Sequence, residues 1–306
     1  VMRYYEHMEY PGVDVLTEGN RAFWIVKQCA SVCRQLGRPW LLSELYGCTG
    51  WQMPLEAHKS VGDWQSLLGV TLRCPHLSWY TMEAEAKRDF PASIFHQSAW
   101  YTDYPYVEDY FSRMHVVLAH GKPRCDVLVV NPVESAWAQI HVDWARWLDS
   151  IDPHVKELDS AYRDLFHWLC DAQIEFDYGD EDHIGRWGKV LETSGRPRFQ
   201  LGEMAYSTII VSGMETIRSS TVAKLKEFMS AGGQVIFAGE SPTHQDGEAS
   251  DAPAKLAQKA LRSSFDRSAV VTAVKVAAPT TVEVVHRETG MPLTDVFVQV
   301  RDSDAG

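Results

Sequence analysis

Short apolar segments alternate with amphipathic segments along the first 120 residues, and this alternation constrains the fold more than any other feature. Alternating strands and helices are typical of parallel strands covered by helices. Three such strands are too few to close a barrel, but they suffice for the last three strands of one. The predicted strands lie within residues 10–16, 38–45 and 70–77, and the predicted helices within 21–37, 55–69 and 106–121.

The alternation resumes at residue 125 with longer apolar strands. This second series predicts a doubly wound, flavodoxin-like α/β domain. A hairpin insert is expected at 189–207. The predicted strands lie at 125–132, 174–179, 207–213 and 234–240, and the main helices at 152–173 and 219–233.

The last part of the chain predicts a polar loop at 241–255, a helix at 254–264 and a β-hairpin at 280–302. The fold class is therefore α/β. We divide the chain into the C-terminal strands and helices of a TIM-type barrel, a flavodoxin-like α/β domain, and the start of a short β segment. These three parts are expected at 1–122, 123–265 and 266–306.

Composition narrows the choice of partners. A formal net charge of −12 argues against nucleic acid and against an anionic membrane surface. The chain has 11 Trp and 12 Tyr, which permit a carbohydrate site, although core packing is the commoner role of an aromatic residue. Six Cys without a CxxC pair indicate reduced thiols and a cytoplasmic protein. The sequence contains neither a signal peptide nor an apolar run of membrane-spanning length, and it opens on Val in mid-pattern, which predicts a fragment.

Glu44 is the first candidate for chemistry. It ends an apolar strand and precedes the Gly-rich turn at 46–51. In parallel α/β barrels the active site lies at the carboxyl ends of the strands. A carboxylate there fits glycoside cleavage, which uses two carboxyl groups flanking the scissile bond. The alternative is a carboxylate that stabilises a helix N-terminus.

Other strand-end residues extend this candidate site. His76 and Tyr80 follow the third predicted strand, Asp14 lies on the first, and Trp51 follows the Gly-rich turn. Each could bind a sugar hydroxyl or stack on a sugar ring, and each could equally be structural. The spacing of His and Cys suggests no metal site, and no cofactor is expected.

The second unit carries no GxGxxG, no P-loop and no GxSxG or GxCxG elbow. The turn SGMET at 212–216 has no Cys where a class I amidotransferase would have its nucleophile. We therefore predict that this domain is not catalytic.

The segments YPGVDVL, VKQCASVCRQLGRPWLLSELYGCTGW, GDWQSLLGVTLRCPHLSWYTM and KRDFPASIF resemble bacterial glycoside hydrolases with (β/α)8 barrels. These enzymes are α-L-rhamnosidase-like or have a family two sugar-binding domain. The resemblance covers roughly residues 4–240 and extends through DVLVVNPVESAW and STIIVSGMETIRSSTVAKLKEFMSAGGQVIFAGE, which look like the α/β domain that follows the barrel in β-galactosidases. In barrel β-galactosidases that domain mediates trimer contacts, so the resemblance implies a homo-oligomer.

The resemblance implies that the three strands are barrel strands six, seven and eight. Glu44 would then be the strand-seven nucleophile, with His76 and Tyr80 lining the sugar subsite and Trp51 as a stacking platform. In such barrels the acid/base glutamate lies on strand four, and Glu6 and Glu9 do not match its Asn-Glu pattern. The chain would therefore lack half of the catalytic pair and five barrel strands.

Two functions remain open from the sequence. The first is a glycosidase, or a fragment of one, acting on oligosaccharides through Glu44. The second is a carbohydrate-binding or oligomerisation remnant without turnover, because the N-terminal strands of a barrel are missing and the α/β domain has no catalytic motif.

Overall fold

The computed structural model describes residues 1–83, 94–146, 149–192, 195–294 and 296–303. Part of the KRDFPASIF segment, residues 87–93, lies outside the described residues. The chain divides into two compact units. The first comprises Val1–Pro123 with Arg301–Gly306, and the second comprises Arg124–Val300.

The first unit has three parallel strands in the order β1-β2-β3, connected by helices. All six elements predicted for this part of the chain are confirmed. The helices end at glycines with positive φ, where a Cβ would be disfavoured: Gly37 at +64° and Gly69 at +124°. The elements are α1 (Met2–Tyr5), β1 (Gly12–Asp14), α2 (Phe23–Gln35), β2 (Leu42–Leu45), α3 (Leu55–Leu68), β3 (Leu72–Pro75), α4 (Pro105–Ala119) and β4 (Lys122–Pro123).

The two faces of the β1-β2-β3 sheet have different partners. Ser43 and Arg73 are paired in register and point toward the helices, where they bond Gln65 of α3 and Glu108 of α4. Side chains alternate along a strand, so the neighbours of Ser43 and Arg73 point the other way. In a closed barrel this second face is the interior.

The second unit contains a five-stranded sheet in the order β17-β14-β12-β5-β8, and every pair in it is parallel. Numbered along the chain, this is the strand order 2-1-3-4-5 of flavodoxin-like folds. Its elements are β5 (Val127–Val130), α5 (Val133–Gln139), β6 (Ala145–Arg146), β7 (Asp149–Ser150), α6 (Pro153–Asp171), β8 (Phe176–Gly179), α7 (Glu181–Trp187), β9 (Lys189–Leu191), β10 (Arg198–Leu201), β11 (Met204–Tyr206), β12 (Thr208–Ser212), β13 (Thr216–Ile217), α8 (Ser219–Ser230), β14 (Gln234–Ala238), β15 (His244–Gln245), β16 (Glu248–Ala249), α9 (Ala252–Ala257), β17 (Leu261–Ser263) and α10 (Arg267–Ala277).

The four predicted strands β5, β8, β12 and β14 are confirmed, and the predicted insert at 189–207 forms the antiparallel sheet β9-β10-β11. The core of the unit lies between the sheet and the helices. It is built from alternate strand residues such as Leu128, Ile209 and Phe237 together with Leu225 and Phe228 of α8.

The C-terminal part differs from the sequence prediction. The helix expected at 254–264 ends at Ala257, and Leu261–Ser263 forms the fifth strand of the sheet instead. Residues 267–277, expected to open a β segment, form α10. Asp266 caps this helix by accepting the Ala269 N–H, and Val270 and Val274 are buried at helical spacing.

The β-hairpin expected at 280–302 is not formed by the described residues: the chain makes a short turn around residues 288–290 with one antiparallel bridge, between Val285 and Pro292. The final strand, β18 (Arg301–Asp302), pairs with β4 in the first unit. Among the described residues, no helix has the length and apolar character needed to cross a membrane.

Candidate active site at the carboxyl end of the three-stranded sheet

Glu44 lies near the carboxyl end of β2, between Asp14 of β1 and Cys74 of β3 in register. Neighbouring strands are about 4.8 Å apart, and residues in register on parallel strands point to the same face. The three side chains therefore share the face opposite α3 and α4. This row places a carboxylate on one side of Glu44 and an exposed thiol on the other.

The turn after β2 brings Glu44 and His76 to the same small space. Gly47 lies between them: a Cβ built on it would be 3.8 Å from Glu44 Oε1 and 3.2 Å from His76 Cδ2. The backbone N–H of His76 donates to Leu45 O at 2.7 Å, which extends the pairing of β2 with the third strand. The His76 side chain is largely buried, and its Nδ1 lies 3.0 Å from Leu77 O.

The predicted aromatic residues have different environments. Trp51 packs edge-to-face against Trp79, with ring centroids 5.3 Å apart, and Trp51 stays half-exposed. Gln97 Nε2 donates to Trp79 O, which fixes the backbone at Trp79. Tyr80 is 87% exposed, so its side chain lies largely in solvent. Trp79 was not predicted from the sequence, although it follows His76 by three residues in the same aromatic run.

Behind the sheet, five buried or half-buried residues form what we call the anchor cluster: Tyr46, His58, Arg73, Tyr104 and Glu108. Arg73 Nη1 lies 2.9 Å from Glu108 Oε2, and Arg73 Nη2 donates to Tyr46 Oη at 2.7 Å. Tyr104 donates its hydroxyl to Glu108 Oε1, and Tyr46 donates to His58 O at 3.1 Å. The sequence gives no local signal for this cluster, because its members come from the turn after β2, from β3 and α3, and from α4 and its N-cap.

Burial controls the ionisation of the anchor cluster. It raises the pKa of the Tyr46 and Tyr104 phenols, so both stay protonated and can donate hydrogen bonds at neutral pH. It lowers the pKa of His58, whose Nδ1 lies 2.9 Å from Pro54 O. A neutral His58 and a charged Arg73 are therefore the expected states of the folded unit.

In the second unit, the crevice between β5 and β12 is the usual ligand site of a flavodoxin-like fold, because the strand order reverses there. Here Ser135 of α5 accepts hydrogen bonds from two backbone donors of the loop after β12. Its Oγ accepts the N–H of Glu215 at 2.9 Å and that of Thr216 at 3.1 Å. Gln139 also donates to the Glu215 carboxylate. These two backbone donors at the crevice are thus bonded to the protein itself.

Potential metal ligands do not converge within either unit taken by itself. In the described part of the chain, neither unit brings ligand atoms of three His, Cys, Asp or Glu residues within 4.8 Å of one another. Asp14, Glu44 and His76 therefore do not form a three-ligand metal site in this geometry.

The chain has the fold of solved glycoside hydrolases. A rhamnosidase from Novosphingobium sp. PP1Y matches with a TM-score of 0.62 and 17% identity, over 94% of this chain and 28% of that chain. Gan42B, a GH42 β-galactosidase from G. stearothermophilus, matches with a TM-score of 0.53 and 14% identity, over 81% of this chain and 35% of that one.

A β-galactosidase from Bacillus circulans sp. alkalophilus matches with a TM-score of 0.52 and 11% identity, over 80% of this chain and 34% of its own. The chain thus spans about a third of the length of these structures. No protein-family model matches the sequence, and no curated protein matches it.

Proposed function

We propose that this chain is a glycoside hydrolase, or a fragment of one, that cleaves oligosaccharides with Glu44 as a catalytic carboxylate. One observation carries the proposal: Glu44 lies at the carboxyl end of a parallel, barrel-type strand and shares a small space with His76. Barrel enzymes have their active sites at this end of the strands. The likeness in fold to a rhamnosidase and to β-galactosidases supports a sugar as the substrate.

The chemistry proposed for Glu44 is attack on the anomeric carbon or proton transfer to or from a reacting oxygen. His76 and Asp14 would hold sugar hydroxyls by hydrogen bonds, and Trp51 would stack on the apolar face of the ring. The second carboxyl group of the pair is not among the residues proposed here. The distance from Glu44 to that group would decide between retention and inversion.

Hydrolysis of a panel of aryl glycosides tests the proposal, with α-L-rhamnosides and β-D-galactosides first. Both this chain and the longest polypeptide that its gene encodes should be assayed. Turnover of at least one glycoside that is lost in the Glu44→Gln variant supports the proposal. No turnover of any glycoside by either polypeptide contradicts it.

Trp51→Ala is expected to weaken sugar binding by about fivefold, because an aromatic platform contributes on the order of 1 kcal/mol of specific contact. Calorimetric titration of the protein with the sugar that the panel identifies measures the change in affinity. Trp137→Ala is the matched control, since Trp137 is a half-exposed indole in the second unit. Equal affinity of the Trp51 variant and the native chain would rule out the stacking role.

A carbohydrate-binding or oligomerising protein without turnover is the second candidate. The observation that favours it is that the barrel-like sheet of the first unit has three strands. The chain is also about a third as long as the enzymes it matches. Sugar binding without hydrolysis by either polypeptide would select this candidate. For either function, we propose that the protein is cytoplasmic and forms a homo-oligomer. Sedimentation of the purified chain tests the oligomeric state.

A further inference from the structure

We infer that Tyr46 is a positioning residue that fixes the turn at 46–50, in which Gly47 lies close to both Glu44 and His76. The effect of Tyr46 on catalysis rests on the proposed function, whereas its role in holding the turn does not. Tyr46 follows Glu44 by two residues, and its side chain points away from the candidate site into the anchor cluster. The turn at 46–50 therefore connects the helices behind the sheet to the face in front of it.

The backbone of this turn is strained. Tyr46 has φ +72° and Cys48 has φ +59°, both in the left-handed region. That region is unfavourable for residues with a Cβ, so such a conformation persists only where surrounding contacts impose it. Gly50, at φ +71°, adopts the same region without a Cβ. Two strained residues within four positions of a strand-end carboxylate indicate a turn that is held in place by contacts outside it.

The anchor cluster supplies the contacts that hold Tyr46. The Tyr46 residue is 1% exposed, and its hydroxyl both accepts from Arg73 Nη2 and donates to His58 O. Its ring also packs edge-to-face on His58 at 4.6 Å between centroids. Arg73 in turn is fixed by Glu108 and lies 3.9 Å above the Phe111 ring. The phenol is thus tied to β3, α3 and, through Arg73, α4.

The turn transmits this position to the candidate site through two hydrogen bonds to its carbonyl oxygens and one close approach. Thr49 Oγ1 donates to Tyr46 O at 2.7 Å, and Thr17 N–H donates to Gly47 O at 2.8 Å. Gly47 is so close to its neighbours that an added Cβ would lie 3.0 Å from Leu16 Cδ2 and 3.2 Å from His76 Cδ2. A small shift of the turn therefore displaces His76 relative to Glu44.

Tyr46→Phe tests the inference, because it keeps the ring and removes the hydroxyl. Tyr104→Phe is the matched control. Tyr104 is also a buried phenol of the anchor cluster, but its hydroxyl donates to Glu108 rather than holding the turn. Two readouts need no sugar: amide hydrogen exchange of Thr17, whose N–H reports the position of Gly47, and the NMR signals of the His76 ring.

Tyr46→Phe is expected to speed Thr17 exchange by at least about tenfold relative to core amides of the same unit, because it removes both hydrogen bonds of the hydroxyl that holds the turn. It is also expected to move the His76 ring signals. Tyr104→Phe should change neither readout. Equal effects of the two variants, or an unchanged Thr17 amide in Tyr46→Phe, would overturn the inference.

Gly47→Ala provides a second variant in case Tyr46→Phe does not fold. It pushes on the turn from the side of His76, and it should move the same His76 signals and speed Thr17 exchange. Unchanged signals in this variant also count against the inference. Absence of glycoside hydrolysis in the native chain would instead contradict the proposed function and leave these two readouts intact. Where hydrolysis is found, Tyr46→Phe should lower kcat more than it changes KM.

Discussion

Replacing Glu44 by glutamine is expected to lower kcat for glycoside hydrolysis by at least about 10²-fold, the lower end of what a positioned acid or base contributes. The loss should be larger if the carboxylate attacks the sugar, because an amide is a poor nucleophile. The substitution keeps the size of the side chain, so the β1-β2-β3 sheet should fold unchanged. The measurement is steady-state hydrolysis of the aryl glycoside identified above, with the longest polypeptide that the gene encodes.

Glu56→Gln is the matched control for this experiment. Glu56 is an exposed carboxylate in the first turn of α3, twelve residues after Glu44, and it undergoes the same chemical change. Near-native kcat is expected for this variant. Near-native hydrolysis by the Glu44 variant itself would eliminate the proposed role. A loss in both variants would indicate a general effect of charge on the unit.

The elements that could be predicted are those determined by residues close together in the sequence. A buried parallel strand such as Val127–Val130 is a continuous apolar run, and helix ends such as Gly37 and Gly69 have positive φ that glycine tolerates best. Glu44 was singled out for the same reason, since a charged residue at the end of an apolar strand is visible in the sequence alone. Its role remains a prediction.

What the sequence did not predict depends on contacts between distant residues. Leu261–Ser263 is an edge strand with one apolar residue, so only its pairing with β14 makes it a strand. The anchor cluster brings Tyr46 together with Arg73, which lies 27 positions further along the chain, and with Glu108, which lies 62 positions further along. Ser135 was overlooked because its two donors, Glu215 and Thr216, lie 80 residues further along the chain.

Glu181 illustrates how the second unit uses a buried carboxyl group for structure. It is the first residue of α7, is 0% exposed, and accepts the backbone N–H of Arg218 at 2.8 Å, where α8 begins. The Arg218 guanidinium meanwhile pairs with Glu134 and Asp182 rather than with Glu181. Burial raises the pKa of Glu181 to about 7.

This raised pKa predicts a pH-dependent stability of the second unit. Between pH 4.5, the ordinary pKa of a glutamate, and about pH 7, the folded unit binds more protons at Glu181 than the unfolded chain does. The contribution of Glu181 to the free energy of unfolding is therefore fully present below pH 4.5. It is lost as the pH rises through about 7, by about 3 kcal/mol in total. Above that range the contribution is constant.

Glu181→Gln is expected to remove this dependence, because the amide stays neutral and can still accept the Arg218 N–H. The variant should be more stable than the native chain at pH 8 and should show a flatter pH profile between 5 and 8. Urea unfolding followed through the amide signals of β12 at both pH values measures it for this unit. Glu248→Gln, at an exposed glutamate of the same unit, is the control and should keep the native profile. If the Glu181 variant loses as much stability as the native unit between pH 5 and pH 8, another group must titrate with folding.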